Sequence, residues 1–301
     1  MRAISILTFA SAMALGASAD AATFSGQGVD IVDAAAVIHV IPEDRTDFAI
    51  ETAAGPRLAA PQVRVEHGRV VIDGNVRVTG CGSMFGNESA AHIAGVGAVR
   101  RRDMPVVTIR APRTIDLSTD GAVFVDVGAS SGGRLAFGGC GDSTVAPVTG
   151  DLDLSLRGSG DADVANVSGA LSAHLGGSGD LRAREAASAR LSLQGSGDVS
   201  LDRVRGGPLD AMLAGSGDVR VGSVQGGSVS MRLDGSGDLA VQNGSADHLD
   251  ADLAGSGNLS FGGHVDALAA RLAGSGDLRV ASADHIESMR KAGSGDITIG
   301  D

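Results

Sequence analysis

The sequence predicts an all-β protein, a right-handed parallel β-helix (β-solenoid) with rungs of about 19–20 residues. Three observations predict this class. A Gly-Ser-Gly-Asp tetrapeptide recurs at a nearly constant interval, an alternating apolar run precedes each copy, and a shorter apolar pair follows it. A repeat of antiparallel hairpins is the main alternative, but it would favour tight two-residue turns between strands of equal length.

The tetrapeptide sets the length of the repeat. Its copies are 18 to 20 residues apart, with a Gly-Ser-Gly-Asn variant at Gly255 and a Gly-Cys-Gly-Asp variant at Gly139. The other copies begin at Gly158, Gly177, Gly195, Gly215, Gly235, Gly274 and Gly293. The glycines suit a sharp corner that needs either a positive φ or close packing between rungs. The aspartate can accept hydrogen bonds from backbone N–H groups at such a corner.

The segments between the tetrapeptides read as strands. Positions two, four and six before the first glycine are apolar in seven repeats, as in Leu156, Leu154 and Leu152. A period of two predicts a strand with one face in the core. A second, shorter strand follows the tetrapeptide, as in Val219 and Val221. Because a unit of this length cannot bury its own apolar face, the copies must stack.

The N-terminus has the pattern of a secretory signal peptide, to which we assign residues 1–19. Arg2 precedes an apolar stretch, Ala3–Ala17, that is too short to span a bilayer, and small residues then offer a cleavage site. We expect an exported protein, either periplasmic or secreted to the cell surface. No later segment is apolar enough to predict a transmembrane helix in the mature chain.

The mature chain divides into an N-terminal β-rich segment at 20–118, predicted to form irregular rungs, and the regular repeat at 119–301. The last repeat departs from the apolar pattern. Lys291, Met289 and Glu287 occupy the positions two, four and six before Gly293, which should face inward. Charged residues there suit a terminal capping rung.

Composition argues against some partners. The formal net charge is −12, only 2% of residues are aromatic, and Trp and Tyr are missing. Nucleic-acid binding needs a basic surface and often stacking rings, so we expect no nucleic-acid partner. The basic run Arg100-Arg101-Arg102 is interpreted as a solvated loop.

The two cysteines, Cys81 and Cys140, are a candidate disulfide, since exported proteins can keep such bonds. Two buried thiols are the alternative.

The repeat offers no catalytic centre. Its serines are equivalent, whereas an enzyme needs one activated nucleophile beside a positioned base. We therefore expect no catalytic residues and no cofactor. Calcium is an alternative, for which the candidate ligands are Asp161, Asp180, Asp198, Asp218, Asp238 and Asp277. A polysaccharide-processing enzyme is another alternative, and it should show a local cluster of Asp, Glu, Arg or His that interrupts one face.

The repeated Gly-Ser-Gly-Asp followed by Val or Leu, together with Val63–Asp73 and the Gly139–Asp142 segment, resembles the head GIN domain family. That family is described as a "putative auto-transporter adhesin" and was formerly a domain of unknown function. The resemblance covers about residues 24–301. It implies a right-handed β-helix and supplies no catalytic residues. The function expected is a non-enzymatic, structural or adhesive module of the bacterial envelope, with envelope or host polysaccharide or protein as partner.

Overall fold

The computed structural model describes residues 21–84 and 88–300. The predicted signal peptide, residues 1–19, lies outside these residues. The described chain consists of β-strands and one short 3₁₀ turn, and no helix in it is long and apolar enough to cross a membrane.

The first strands belong to the irregular N-terminal part. They are β1 (Ala22–Phe24), β2 (Val29–Glu43), β3 (Phe48–Ala53), β4 (Gln62–Glu66), β5 (Arg69–Asp73), β6 (Val78–Met84), β7 (Glu88–Ile93), β8 (Gly97–Arg100), the 3₁₀ turn η1 (Arg101–Asp103), β9 (Val106–Pro112) and β10 (Thr114–Val127).

The remaining strands form the repeat. They are β11 (Gly132–Phe137), β12 (Ser143–Val145), β13 (Leu152–Leu156), β14 (Ala162–Val164), β15 (Val167–Leu175), β16 (Leu181–Leu193), β17 (Val199–Val204), β18 (Leu209–Leu213), β19 (Val219–Gln225), β20 (Ser228–Leu233), β21 (Leu239–Leu253), β22 (Leu259–Leu272), β23 (Leu278–Lys291) and β24 (Ile297–Ile299).

These strands stack as about ten coils of a β-solenoid, which confirms the predicted fold class. From β10 onward each strand pairs in parallel with the equivalent strand one rung away, so that Leu156 lies beside Leu175 and Leu175 beside Leu193. Parallel pairing throughout the repeat rules out the hairpin alternative there.

The core consists of columns of stacked aliphatic side chains. For the tetrapeptides from Gly158 to Gly274, the three positions before and the two after are buried, as predicted; Leu193, Leu213 and Leu233 are fully enclosed in one such column. A further inward column, formed by Val167, Ala186, Val204 and Val224 nine residues after the first glycine, was not predicted. Every rung therefore encloses a core on more than two sides.

The N-terminal strands do not follow chain order along the solenoid. Strand β2 lies between β10 on one side and β5 and β9 on the other, all in parallel register. The antiparallel strands β3 and β4 pair with β9 and β5, and β1 pairs with β3. These antiparallel pieces cover the N-terminal end of the stack.

A separate three-stranded antiparallel sheet, β6–β7–β8, lies against the outside of the first coils. Its Ile93 and Val99 pack with Ala122 and Phe124, which point outward from β10. A small second core therefore joins this sheet to the solenoid.

The last complete rung differs from the expected register. Strand β23 contains a bulge, so that Leu268 lies beside Ile286 and Ala269 beside Ser288. Glu287 therefore has no partner in the ladder, and Ile286, rather than Glu287, occupies the column of Leu268. Ile286 is 52% exposed because β24 covers only the beginning of β23.

Candidate functional site

The tetrapeptide corner is a stack of backbone against backbone. A Cβ atom built on Gly177 would overlap the carbonyl oxygen of Gly158, and one on Gly158 would overlap that of Gly139. Of the tetrapeptide glycines, Gly139 alone has a positive φ, at 78°. Close approach between rungs, rather than a left-handed conformation, is therefore the reason for glycine in the repeat.

The aspartates of the tetrapeptide form a ladder along this corner. From Asp142 to Asp277, the Oδ1 atom of each aspartate accepts a hydrogen bond from the backbone N–H of the equivalent residue on the next rung. The Asp198 N–H to Asp180 distance is 2.9 Å, and the Asp218 N–H to Asp198 distance is 2.8 Å. Asn258 continues the ladder, because its N–H donates to Asp238 and its side-chain oxygen accepts from Asp277. The column thus satisfies backbone donors that the turn would otherwise leave unpaired.

The six calcium candidates all lie in this ladder, half-buried or exposed. Cations of the chain approach some of them: Arg182 lies 3.2 Å from Asp180 and 3.9 Å from Asp161, and Arg220 lies 3.7 Å from Asp218. The ladder uses one oxygen of each carboxylate for the backbone. Among the described residues, a group of three metal-ligating side chains with ligand atoms within 4.8 Å of one another lies outside this ladder.

Cys81 and Cys140 lie side by side, with their Cα atoms 6.2 Å apart. That separation is within the range that a disulfide spans. Cys81 belongs to β6 and Cys140 to the first tetrapeptide, so the pair joins the outer sheet to the solenoid.

The basic run forms the end of β8 and the 3₁₀ turn η1. The Arg101 guanidinium lies 4.8 Å from the centre of the Phe124 ring and 3.6 Å from the Asp126 carboxylate. This arginine therefore helps to hold the outer sheet on the solenoid.

One cluster of side chains interrupts the repeat. His264 Nε2 lies 3.6 Å from Asp266 Oδ1 and 3.4 Å from Asp284 Oδ2. The ligand atoms of the three residues all lie within 4.8 Å of one another. The other ring nitrogen, Nδ1, lies 2.7 Å from Ser282 Oγ. The histidine is half-buried and the two aspartates are exposed.

The fold builds this cluster on the corner opposite to the tetrapeptide, between the strand segment that follows one tetrapeptide and the segment that precedes the next. Val265 is buried, so the alternation of β22 turns His264 and Asp266 outward together. The ladder then places Ser282 beside His264 and Ala283 beside Val265. Asp284, next along β23, comes level with Asp266.

A groove of about 720 Å³, with a mixed polar and apolar lining, lies along the strands that follow the first tetrapeptides. The charged groups in its lining are Asp163, Arg182, Arg184 and Asp202. Arg184 is exposed, and no described residue forms an ion pair or hydrogen bond with it. The groove therefore offers at least one free cationic side chain.

Sequence comparison identifies the family. The model described as "Putative auto-transporter adhesin, head GIN domain" matches residues 62–221 and 187–300. No curated protein matches the chain.

Three solved structures align with most of this chain. A putative adhesin from Parabacteroides distasonis has 15% identity and a TM-score of 0.42, and the alignment covers 93% of this chain and 95% of that one. A putative adhesin from Bacteroides fragilis has 16% identity and a TM-score of 0.31, with 92% and 95% covered. A putative lipid binding protein from Parabacteroides distasonis has 14% identity and a TM-score of 0.31, with 94% and 98% covered. The family model alone spans most of this chain, and the chain belongs to the head GIN domain family.

Proposed function

We propose that this protein is a non-enzymatic, exported β-solenoid of the bacterial envelope, with a structural or adhesive role. The observation that carries the proposal is the tetrapeptide corner. Its glycines are required for rung stacking, and its aspartates accept backbone hydrogen bonds from the next rung. The most conspicuous residues of the sequence are therefore explained by architecture and need no reaction.

Export is supported by the signal-peptide pattern at residues 1–19 and by the adjacent cysteines, since disulfides persist outside the reducing cytosol. We propose periplasmic residence or display at the cell surface. The adhesin description of the family agrees with that location.

The surface we propose for adhesion is the groove along β12, β14, β16 and β17. Its lining combines carboxylates, guanidinium groups and small side chains, and Arg184 has no partner among the described residues. Parallel strands repeat about every 4.8 Å, so a groove of this kind presents its side chains at a regular spacing. Such a surface suits an extended polymer, and we propose an envelope or host polysaccharide or protein as its partner.

The test is a binding screen with the mature chain on immobilised peptidoglycan, lipopolysaccharide, acidic polysaccharides and host matrix proteins. The double variant Arg182→Ala/Arg184→Ala should weaken binding by tenfold or more. The matched control is Arg190→Ala/Arg232→Ala, which removes the same charge from exposed positions outside the groove. Equal binding by the two double variants, or no binding to any polymer, would count against the adhesive role.

The same panel of polymers distinguishes an adhesive protein from a polysaccharide-processing enzyme. Reaction mixtures should show no new reducing ends after long incubation. Release of fragments that stops when one acidic or histidine cluster is mutated would replace the proposal by a polysaccharide-processing enzyme.

A further inference from the structure

We infer that His264, Asp266 and Asp284 form a binding site for a divalent transition-metal ion of the zinc type. This inference does not depend on the adhesive role, because it concerns the corner on the far side of the rungs from the tetrapeptide ladder. It is also distinct from the calcium alternative, which concerns the six aspartates of that ladder.

The donor set selects the kind of ion. One imidazole nitrogen and two carboxylate oxygens suit Zn²⁺ and related first-row ions, which accept mixed nitrogen and oxygen ligands. Calcium prefers six to eight oxygen ligands, so an imidazole is unsuited to it. The cluster should therefore distinguish zinc from calcium by affinity.

The spacing of the three atoms is the second argument. In a tetrahedral zinc site with ligands at about 2.0–2.2 Å, neighbouring ligand atoms are about 3.4 Å apart. The His264 Nε2 atom lies 3.4 Å and 3.6 Å from the two carboxylate oxygens. These separations are longer than a good N–H···O hydrogen bond, and neither carboxylate is hydrogen-bonded to Nε2 among the contacts of the described residues. Two of the three separations therefore suit a shared ion, and the two carboxylate oxygens lie within 4.8 Å of each other.

The histidine is also held in the orientation that a ligand needs. Metal binding through Nε2 requires the tautomer with its proton on Nδ1, and Ser282 Oγ, 2.7 Å from Nδ1, is placed to accept a hydrogen bond from that N–H. In this tautomer the Nε2 lone pair is free for an ion beside the two carboxylates. Metal-bound histidines commonly have such a partner on the second nitrogen, and its loss weakens binding by about 10- to 100-fold.

A simple ion pair explains the arrangement less well. At another place on the surface, His39 lies 3.3 Å from Asp126 alone, as expected for a histidine beside a single carboxylate. At His264 a second carboxylate is brought close by the rung-to-rung register. The two negative charges repel each other, and a divalent ion between them offsets that repulsion more fully than a singly charged imidazolium. Three protein ligands also leave at least one coordination position for water or an outside group.

The experiment uses untagged mature protein that has been treated with a chelator. Isothermal titration calorimetry with Zn²⁺ should show one saturable site per chain. Co²⁺ bound in the same site should give the visible absorption of an ion with nitrogen and oxygen ligands. A tenfold excess of Ca²⁺ should not compete. No saturable heat up to about 1 mM zinc would overturn the inference.

Variants locate the site. His264→Gln and Asp284→Asn should each weaken zinc binding by tenfold or more, and Ser282→Ala should weaken it by about 10- to 100-fold. The matched control is His174→Gln, because His174 is also an exposed histidine beside a serine, with Ser172 Oγ 3.4 Å away. If zinc binds equally to all four variants and the parent chain, the site is elsewhere and the inference is wrong.

The side chains of His264, Asp266 and Asp284 are 43–66% exposed and that of Ser282 is half-buried, so the variants should fold, and far-UV circular dichroism checks this. NMR spectra of the parent protein with isotope-labelled histidine give an independent result. Zinc should shift the ring resonances of His264 first, and a first shift at another histidine would overturn the assignment.

Discussion

Gly176 and Gly177 are neighbours in sequence, yet the structure assigns them opposite tolerance to a methyl group. A Cβ atom on Gly176 would meet no atom within 4 Å, whereas one on Gly177 would overlap the Gly158 carbonyl oxygen. Neither residue has a positive φ, so backbone strain does not separate the two positions. Replacing each by alanine therefore isolates the effect of rung stacking.

The expected cost at Gly177 follows from the contacts that must give way. The new Cβ would also lie 2.8 Å from the carbonyl carbon of Gly158, so the two rungs must move apart. Overpacking of this kind costs about 1–3 kcal/mol. Separation also weakens the hydrogen bonds from Ser178 N–H to Gly158 O and from Asp180 N–H to Asp161 Oδ1, each 2.9 Å long. At about 1 kcal/mol for each bond, the total loss is about 3–5 kcal/mol.

Guanidinium unfolding followed by far-UV circular dichroism measures the change in the free energy of unfolding. Gly176→Ala should change it by less than about 1 kcal/mol, with a gain from the stiffer unfolded chain. Because solenoids can unfold in steps, hydrogen exchange at the Ser178 amide provides a local reading. If Gly177→Ala lies within about 1 kcal/mol of Gly176→Ala, the stacking argument is refuted.

Three other predictions follow from the contacts described above. If Cys81 and Cys140 form a disulfide, alkylation under denaturing conditions should leave the mass unchanged without reductant and should add two labels after reduction. Because 59 residues separate the two cysteines, loss of the bond should lower the free energy of unfolding by up to about 4 kcal/mol. Asp198→Ala should cost about 1–2 kcal/mol in denaturant unfolding by leaving the Asp218 N–H without an acceptor, while Asp198→Asn should cost less. Burial raises the pKa of Asp30, but its hydrogen bonds to an arginine and a serine outweigh burial and lower the pKa below 3.8. The contribution of Asp30 to stability should therefore be present above pH 3.8 and be lost as the pH falls through the lowered pKa. Measuring the unfolding midpoint across acid pH, with Asp30→Asn as control, would show this loss.

The regular part of the fold could be predicted because its information is local. Each rung repeats the same inward positions at fixed offsets from the tetrapeptide, and parallel stacking needs only that the copies match. The N-terminal order could not be predicted in this way. Strand β2 pairs with β10, and the paired residues are 87 or 88 positions apart in the chain, so no local pattern specifies such a distant partner.

The His264 cluster escaped the sequence analysis for a specific reason. Asp266 lies 11 residues after the first glycine of the preceding tetrapeptide, whereas Asp284 lies 10 residues after its own. An alignment of the repeats by their tetrapeptides therefore places the two aspartates in different columns. The structure aligns them because the register shifts by one residue between Phe261 and His264. A search for His-x-Asp with another aspartate 18 residues later would have found the cluster.

That register shift points to a general property of the two corners. The strands on either side of the tetrapeptide keep fixed offsets from it, so the variation of the repeat between 18 and 20 residues must arise at the opposite corner. The tetrapeptide corner cannot vary, because any Cβ on its glycines would overlap the rung before. The opposite corner is constrained only at particular residues: a Cβ on Gly244 or Gly263 would overlap the rung before, and Gly206, Gly227 and Gly244 adopt positive φ angles. Outward positions beside these glycines, such as His264, can therefore carry side chains that the neighbouring rungs lack, which makes the opposite corner the place where one rung can acquire a chemistry of its own.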